Sequence, residues 1–564
     1  MKFEDYTYTR PNLDEVKEKF GAVLVKFTGA GSAEEQNQAM NEINSIKNDL
    51  GTMFNLCSIR HSINTNDKFY QTEQDYMDEI EPEIEGLTTK YYQALVDSKF
   101  RPELEQKWGT QLFALAESQL KTFKPEVIPL LQKENRLSTE YTKLIATAKI
   151  EFEGEERTLA QLEPFIQAND RDMRQRASEA KFGFLAGHQE ELDRIYDDLV
   201  KVRTEIAKRL GYKNFVELGY YRMMRTDYNA EMVAGYRKQI KDFIVPIATK
   251  LKERQRERIG VDQLKYYDEG FNFPTGNPAP KGSPEWILEN GQKMYEELSN
   301  ETGEFFRFMQ EHHLLDLIAK KGKAGGGYCT YIENYKSPFI FSNFTGTSGD
   351  IDVLTHEAGH AFQVYSSRTF EIPEYYWPTY EACEIHSMSM EFFTWPWMDL
   401  FFKEEADKYR FAHLSDALLF LPYGVSVDEF QHWVYENPDA APKERNLKWR
   451  EIEKKYLPHR DYGGNGYLEN GGFWQKQGHI YNDPFYYIDY TLAQICAFQF
   501  WKRSRDNHQK AWTDYVNLCK LGGSMSFLKL VETARLLSPF EDGCVESVVG
   551  EIEKWLNSVD DKKL

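Results

Sequence analysis

PFIFSNFTGTSGDIDVLTHEAGHAF, residues 338–362, carries two local signals in one stretch. Its first part, Pro338 to Phe344, follows the glycine run Gly325 to Gly327, and its aromatic, β-preferring character predicts a strand. Its second part predicts a helix. Thr347 and Ser348 offer N-cap oxygens, while Asp350 and Asp352 suit the positive end of a helix. Val353, Leu354, Ala361, Phe362 and Val364 can supply its buried side. Within that helix lies His356-Glu357-Ala358-Gly359-His360, the pattern HExxH. Positions i and i+4 share a helical face, so both imidazoles can reach one ion. Glu357 sits beside that face, where it can take a proton from an activated water. Zinc suits two neutral imidazoles plus one carboxylate, with a fourth position left for water.

The third ligand lies elsewhere in the chain. An arrangement with a third histidine six residues after His360 is excluded, because that position is Ser366. Tyr380 to Phe393, YEACEIHSMSMEFF, offers Glu381, Glu384 and Glu391. Spacing alone does not choose among them, and each could instead sit on a solvated helix face. Asp352, one turn before His356, is a candidate for outer-shell support of an imidazole.

Outward from this centre, most of the chain reads as helix. Leu192, Ile195, Leu199, Val202, Ile206 and Leu210 are spaced by three or four, and Gly211 stands where a C-terminal glycine would end that helix. Residues 12–150 show similar patches, broken by turn-rich pieces such as Thr28 to Ser32. Lys149 to Phe152 and Glu155 to Leu159 flank Glu153-Gly154 and predict a short hairpin. Residues 268–284 are a Pro- and Gly-rich loop, and residues 461–483, with six glycines, read as another.

Length and composition bound the rest. The chain has 564 residues, enough for two or more packed subdomains. Its net charge of −21 argues against nucleic acid or an anionic membrane as the main partner. Six scattered cysteines form no CxxC pair, which suits reduced thiols in the cytoplasm. Met1 to Arg10 lacks the apolar core of a signal peptide, and no apolar run approaches the roughly 20 residues of a membrane span.

HEAGHAFQ, followed by a glutamate 24 residues after its second histidine, resembles the thimet-oligopeptidase family, and within it the oligoendopeptidase F branch with its Pz-peptidase-like enzymes. NDRDMRQRASEAKFG at 169–183, AKRLGYKNFVELGYYRM at 207–223, DPFYYIDYTLAQICAFQFW at 483–501 and LGGSMSFLKLVETARL at 521–536 carry the same resemblance. It implies a mainly α, two-lobed body with a deep channel and a small β-sheet at its wall. We expect an N-terminal helical domain over 1–195 and a catalytic domain over 196–564, with intertwined lobes. The resemblance implies one zinc per chain on His356, His360 and Glu384, with Asp352 and Glu391 behind the ligands. It also implies a glycine-rich loop with a histidine, then tyrosines reaching the scissile carbonyl. The matching residues are His479, Tyr486, Tyr487 and Tyr490, and the oxyanion role falls to Tyr490, supported by Tyr487 and His479.

The function expected is zinc-dependent cleavage of internal bonds in short unfolded oligopeptides. The strand at 339–344 would pair with extended substrate by strand addition, making Phe339, Phe341 and Asn343 substrate-binding residues, with Tyr486 beside them. Two other readings exist. An HExxH carboxypeptidase would need a site for a terminal carboxylate, which no sequence feature marks. A peptide-binding protein with structural zinc would need a fourth protein ligand. Cys383 adjoins Glu384, but adjacent helical residues point about 100° apart, so both are not expected on one ion.

Overall fold

The computed structural model describes residues 1–564. Helices hold 72% of the residues, with two small sheets. The chain opens with α1 (Leu13–Gly29), α2 (Ala33–Ile63) and α3 (Lys68–Val96). Each starts on a side chain that accepts from its first free N–H groups: Asn12, Ser32 and Asp67. These helices close around Phe20, Phe27, Met40, Ile43 and Tyr91, a core of 16 buried residues that also takes in Ile372 and Tyr375. A second core of 110 buried residues runs from Phe3 to Leu556, so both ends of the chain are packed into the same interior.

The expected hairpin forms from β1 (Ile150–Phe152) and β2 (Glu155–Arg157), with Phe152 opposite Glu155. Glu153 and Gly154 both take positive φ, 51° and 76°, as a two-residue primed turn requires. The amphipathic helix α4 (Gln189–Leu210) buries Leu192, Ile195, Leu199, Val202 and Ile206. Gly211 ends it in the left-handed region at φ 94°. This helix passes residues 195 and 196, the expected domain boundary, without a break.

The second sheet has three strands: β3 (Leu315–Ile318), β4 (Tyr328–Ile332) and β5 (Ser337–Phe344), in the order β3-β5-β4. β5 is parallel to β3 and antiparallel to β4. The HExxH segment follows on α5 (Gly349–Ser367). Its start differs from expectation. Ser348 already has helical angles and makes no side-chain cap, and Thr347 caps nothing. Asp350 instead accepts from the backbone N–H groups of Thr345 and Gly346, both at 2.8 Å, and so fixes the strand-to-helix turn.

α6 (Tyr380–Phe393), α7 (Ala406–Glu436) and α8 (Tyr487–Leu521) complete the site's frame. Gly359 lets α5 approach α6: a Cβ there would lie 2.6 Å from both the His386 carbonyl oxygen and the Ser387 Cα. The small residue inside HEAGH thus sets the distance between the histidines and the glutamates. α6 is enclosed on nearly all sides, with Glu381 and Glu384 only 0% and 2% exposed, so neither lies on a solvated face.

The loop at 268–283 is irregular as expected, held by the Gln255 amide, which donates to the carbonyls of Asp268, Glu269 and Phe271. Residues 461–483 differ. They contain short helical turns at Gly466–Glu469, Gly472–Lys476 and Gly478–Asn482, with Phe473, Trp474 and Gln475 buried. Gly471 serves a close approach, since a Cβ there would meet the Asn446 carbonyl oxygen at 1.8 Å. No helix is long and apolar enough to cross a membrane.

Candidate active site

His356 and His360 point from one face of α5, their ring centroids 5.1 Å apart. Glu384, from α6, closes the triangle: its Oε2 lies 3.3 Å from Nε2 of each imidazole. With zinc bonds near 2.0–2.2 Å, adjacent donors of a tetrahedral site are separated by roughly 3.3 Å. The donor set and its spacing therefore fit a zinc ion. His356, His360 and Glu384 are also the one group of three such residues whose ligand atoms all lie within 4.8 Å of one another. Glu381, the competing candidate, is turned away, and neither of its oxygens has a hydrogen-bond partner. Cys383 donates to the Pro378 carbonyl and stands outside the donor group.

Support for His356 comes from Glu391. Its Oε1 lies 2.7 Å from His356 Nδ1, and its Oε2 lies 2.8 Å from His413 Nε2. Trp395 Nε1 donates to His413 Nδ1 at 3.2 Å. An indole N–H only donates, so His413 Nδ1 accepts and its Nε2–H faces Glu391. Glu391 thus receives a proton-bearing nitrogen from each side, and the Nε2 lone pair of His356 is left for the site centre. Burial would raise the Glu391 carboxyl, but the two histidines outweigh it and hold it below its ordinary range. Asp352, expected in this supporting role, accepts from the Tyr409 hydroxyl at 2.6 Å and bonds to neither imidazole of the pair. It faces Tyr409 on α7.

Glu357 lies beside the triangle, 6% exposed, and its Oε2 has no hydrogen-bond partner. Burial is the main influence on this carboxyl and raises it, against the pull of His356 and His360. An unpartnered buried carboxyl is costly unless something occupies the space it faces.

The tyrosines divide unevenly. Tyr486, expected against substrate, has its hydroxyl committed to Glu384 Oε1 at 2.6 Å, while Ser387 Oγ donates to Oε2 at 2.8 Å. Tyr490 Oη lies 3.2 Å from His479 Nε2. The Gln477 amide nitrogen is 2.8 Å from His479 Nδ1, and its oxygen accepts from Tyr423. His479 Nδ1 therefore accepts, and Nε2–H donates to the Tyr490 oxygen. That leaves the Tyr490 proton free to point into the cleft. Burial raises the Tyr490 phenol well above its ordinary range, so it keeps that proton. The Tyr487 ring packs edge-on against Phe420 and Tyr423.

The strand expected to bind substrate is not available. β5 is the central strand, paired on both sides, with Phe339 and Phe341 buried at 1% and 0% exposure. Asn343 donates to the carbonyls of Ala324 and Gly326 and so holds the glycine-rich loop. β3 and β4 are the two edges of this sheet, and β4 is the one at the larger cavity described below. Tyr331 stands opposite Pro338 at a non-hydrogen-bonded position of the ladder, and its outward carbonyl accepts from Asn55 at 2.8 Å. By the alternation of an antiparallel ladder, the backbone groups of Cys329 also point outward. A Cβ on Gly327 would lie 3.6 Å from Glu357 Oε1, so this edge begins beside the carboxyl.

Two cavities meet at His356 and Tyr490. The larger, about 480 Å³, is walled by Gly327 to Thr330, Glu357, Trp377, Glu384 and Tyr486. The smaller, about 370 Å³, lies towards Asp352, His413 and Tyr487. An elongated ligand crossing the centre would therefore find room on both sides.

A helical body with two small sheets and an HExxH helix closed by a carboxylate from a second helix belongs to the class of metallopeptidases. The profile of the peptidase M3 N-terminal domain matches residues 3–123, and that of peptidase family M3 matches residues 292–549. The chain belongs to the M3 peptidase family and is a peptidase. A structure of Pz peptidase A solved with an inhibitor is 70% identical, with a TM-score of 0.99 over 100% of both chains. The oligopeptidase PepF of Bacillus subtilis (strain 168) is 20% identical over 97% of this chain and 84% of its own length. Oligoendopeptidase-F from Enterococcus faecium, at 14% identity, shares the fold with a TM-score of 0.61 over 97% of this chain and 98% of its own.

Proposed function

We propose that the chain is a zinc-dependent endopeptidase that cuts internal bonds of short, unfolded oligopeptides, with one zinc on His356, His360 and Glu384. The observation that carries this reading is the pair of 3.3 Å separations between Glu384 Oε2 and the two imidazole nitrogens, with the unpartnered Glu357 carboxyl alongside. Zinc, when bound, supplies Lewis acidity that polarises a peptide carbonyl and acidifies a water. Glu357 accepts the proton of the attacking water and delivers it to the leaving amine. Tyr490, oriented by His479, donates to the oxyanion that develops on the carbonyl. Tyr486 and Ser387 fix the Glu384 carboxylate. The free edge of β4 at Cys329 pairs with extended substrate through main-chain bonds, which tolerates varied sequences.

No lysine or arginine lines either cavity, which favours internal cleavage over recognition of a terminal carboxylate. The six cysteines are unpaired, consistent with work in the cytoplasm. The test is Glu357→Gln. Zinc content should persist while hydrolysis of an internally quenched peptide falls by about 10²-fold or more. A zinc-loaded variant with near-normal turnover would remove the general-base assignment.

A further inference from the structure

The smaller cavity has a chemistry of its own. Among its lining residues Asp352, Glu391 and Asp416 are acidic, and none is lysine or arginine. Glu391 is saturated by His356 and His413, but the other two carboxylates are not. Asp352 gives one oxygen to Tyr409, and Asp416 makes no hydrogen bond or ion pair. Asp416 is an exposed residue on the wall of this open cavity. Surrounding protein raises its carboxyl above the ordinary range, against the opposing pulls of Lys252, His413 and Arg258.

A separate group on another helix faces the same space. Gln494, 4% exposed, lines the cavity, and its Nε2 has no hydrogen-bond partner. A buried amide in that condition lacks a partner that an ordered water or a bound ligand would supply. The remaining walls include the side chains of Met388, Phe420 and Tyr487. Apolar walls ending in free carboxylates suit a long aliphatic stem with a cationic head.

Resting on the endopeptidase reading above, we infer that this cavity is a specificity pocket for a basic side chain of the peptide, arginine or lysine, next to the scissile bond. Asp416 and the free oxygen of Asp352 take the cationic head, and Gln494 meets a polar group of the bound peptide. Position follows from the helices. Asp352 is one turn before His356 on α5, and Gln494 is one turn after Tyr490 on α8. One turn is about 5.4 Å, and an extended peptide advances about 3.3 Å per residue. The basic residue therefore sits at the first or second position from the bond, on the side away from β4.

The test uses the zinc-loaded full-length protein and end-blocked, internally quenched peptides. They are identical except at one position, which carries arginine, lysine, citrulline, norleucine or glutamate. That position is moved through the two residues on either side of the bond, and the cut is located by mass spectrometry. At one position arginine should exceed its uncharged isostere citrulline by about tenfold in kcat/KM, the size of a charge-assisted hydrogen bond. Asp416→Asn should reduce that ratio to within about twofold, and Asp416→Lys should make glutamate the preferred residue. Equal rates for arginine and citrulline at every position in the wild type, or a preference that Asp416→Asn leaves intact, would overturn the inference while the endopeptidase reading stands. A wild type that cuts none of the peptides would overturn both.

Discussion

Glu391 holds two imidazoles at once: the Trp395 indole fixes the His413 tautomer, and the ionised Glu391 accepts from His356 as well. Glu391→Gln would place an amide where two N–H groups converge. Zinc affinity should drop about 10- to 100-fold in competition with a chromophoric chelator, the usual effect of removing an outer-shell carboxylate. An unchanged affinity would show that Glu391 does not orient His356. The tyrosines separate in the same way. Tyr490→Phe should lower kcat/KM by about 10²- to 10³-fold with zinc binding intact, whereas Tyr486→Phe should weaken zinc binding through Glu384. Exchanged outcomes would reverse the two roles. HExxH was legible in the sequence because its geometry is internal to one helix. Glu384 needed the family resemblance, since spacing left Glu381 equally open. His413 left no local mark: it meets Glu391 from 22 residues away, within a long helix whose pattern reads as core.

At the scale of elements, strand β5 was legible but its place in the sheet was not. Its residues are buried on both faces, and only Asn343 among them is not fully buried. The alternation that marks a one-sided strand is therefore missing, and nothing local distinguishes a central strand from an edge. The glycines of 461–483 misled for a related reason: composition reports freedom of the backbone, while Gly471 is required by the nearness of Asn446. The loop at 268–283 carries its own test. Arg460 grips Glu269 with two nitrogens, at 3.1 and 2.7 Å. Burial alone would raise the Glu269 carboxyl, but Arg460 and Lys252 outweigh it and bring it to about 2. With the folded value below the ordinary one, this pair stabilises the protein at neutral pH, and the contribution is lost as pH falls from about 4.5 towards 2. Glu269→Gln should cost up to about 3 kcal/mol in urea unfolding at pH 7. The gap from wild type should narrow through that acid range. A gap independent of pH would mean that packing, and not charge, holds the loop.

For the molecule as a whole, the 110-residue core ties the first residues of the chain to the last helix, and the smaller helical core rests on Ile372 and Tyr375. Helices of the long core carry His356, His360 and Glu384, and the sheet edge and the tyrosine helix flank them, so this centre lies between two cavities. On the proposed reading, such placement would admit a flexible peptide more readily than a folded protein. Mainly helical architecture was readable from periodicity. The way distant helices meet was not, because Gly359 against His386 and Glu384 against two imidazoles are contacts that no local pattern encodes. In the proposed mechanism, one divalent ion on His356, His360 and Glu384 enables hydrolysis. That role is tested most directly by adding zinc back to chelator-stripped protein while following cleavage of an end-blocked, internally quenched peptide. Activity should be absent at the start, rise linearly and level off at one zinc per chain. Undiminished cleavage by the stripped protein, or no cleavage after full zinc occupancy, would contradict it.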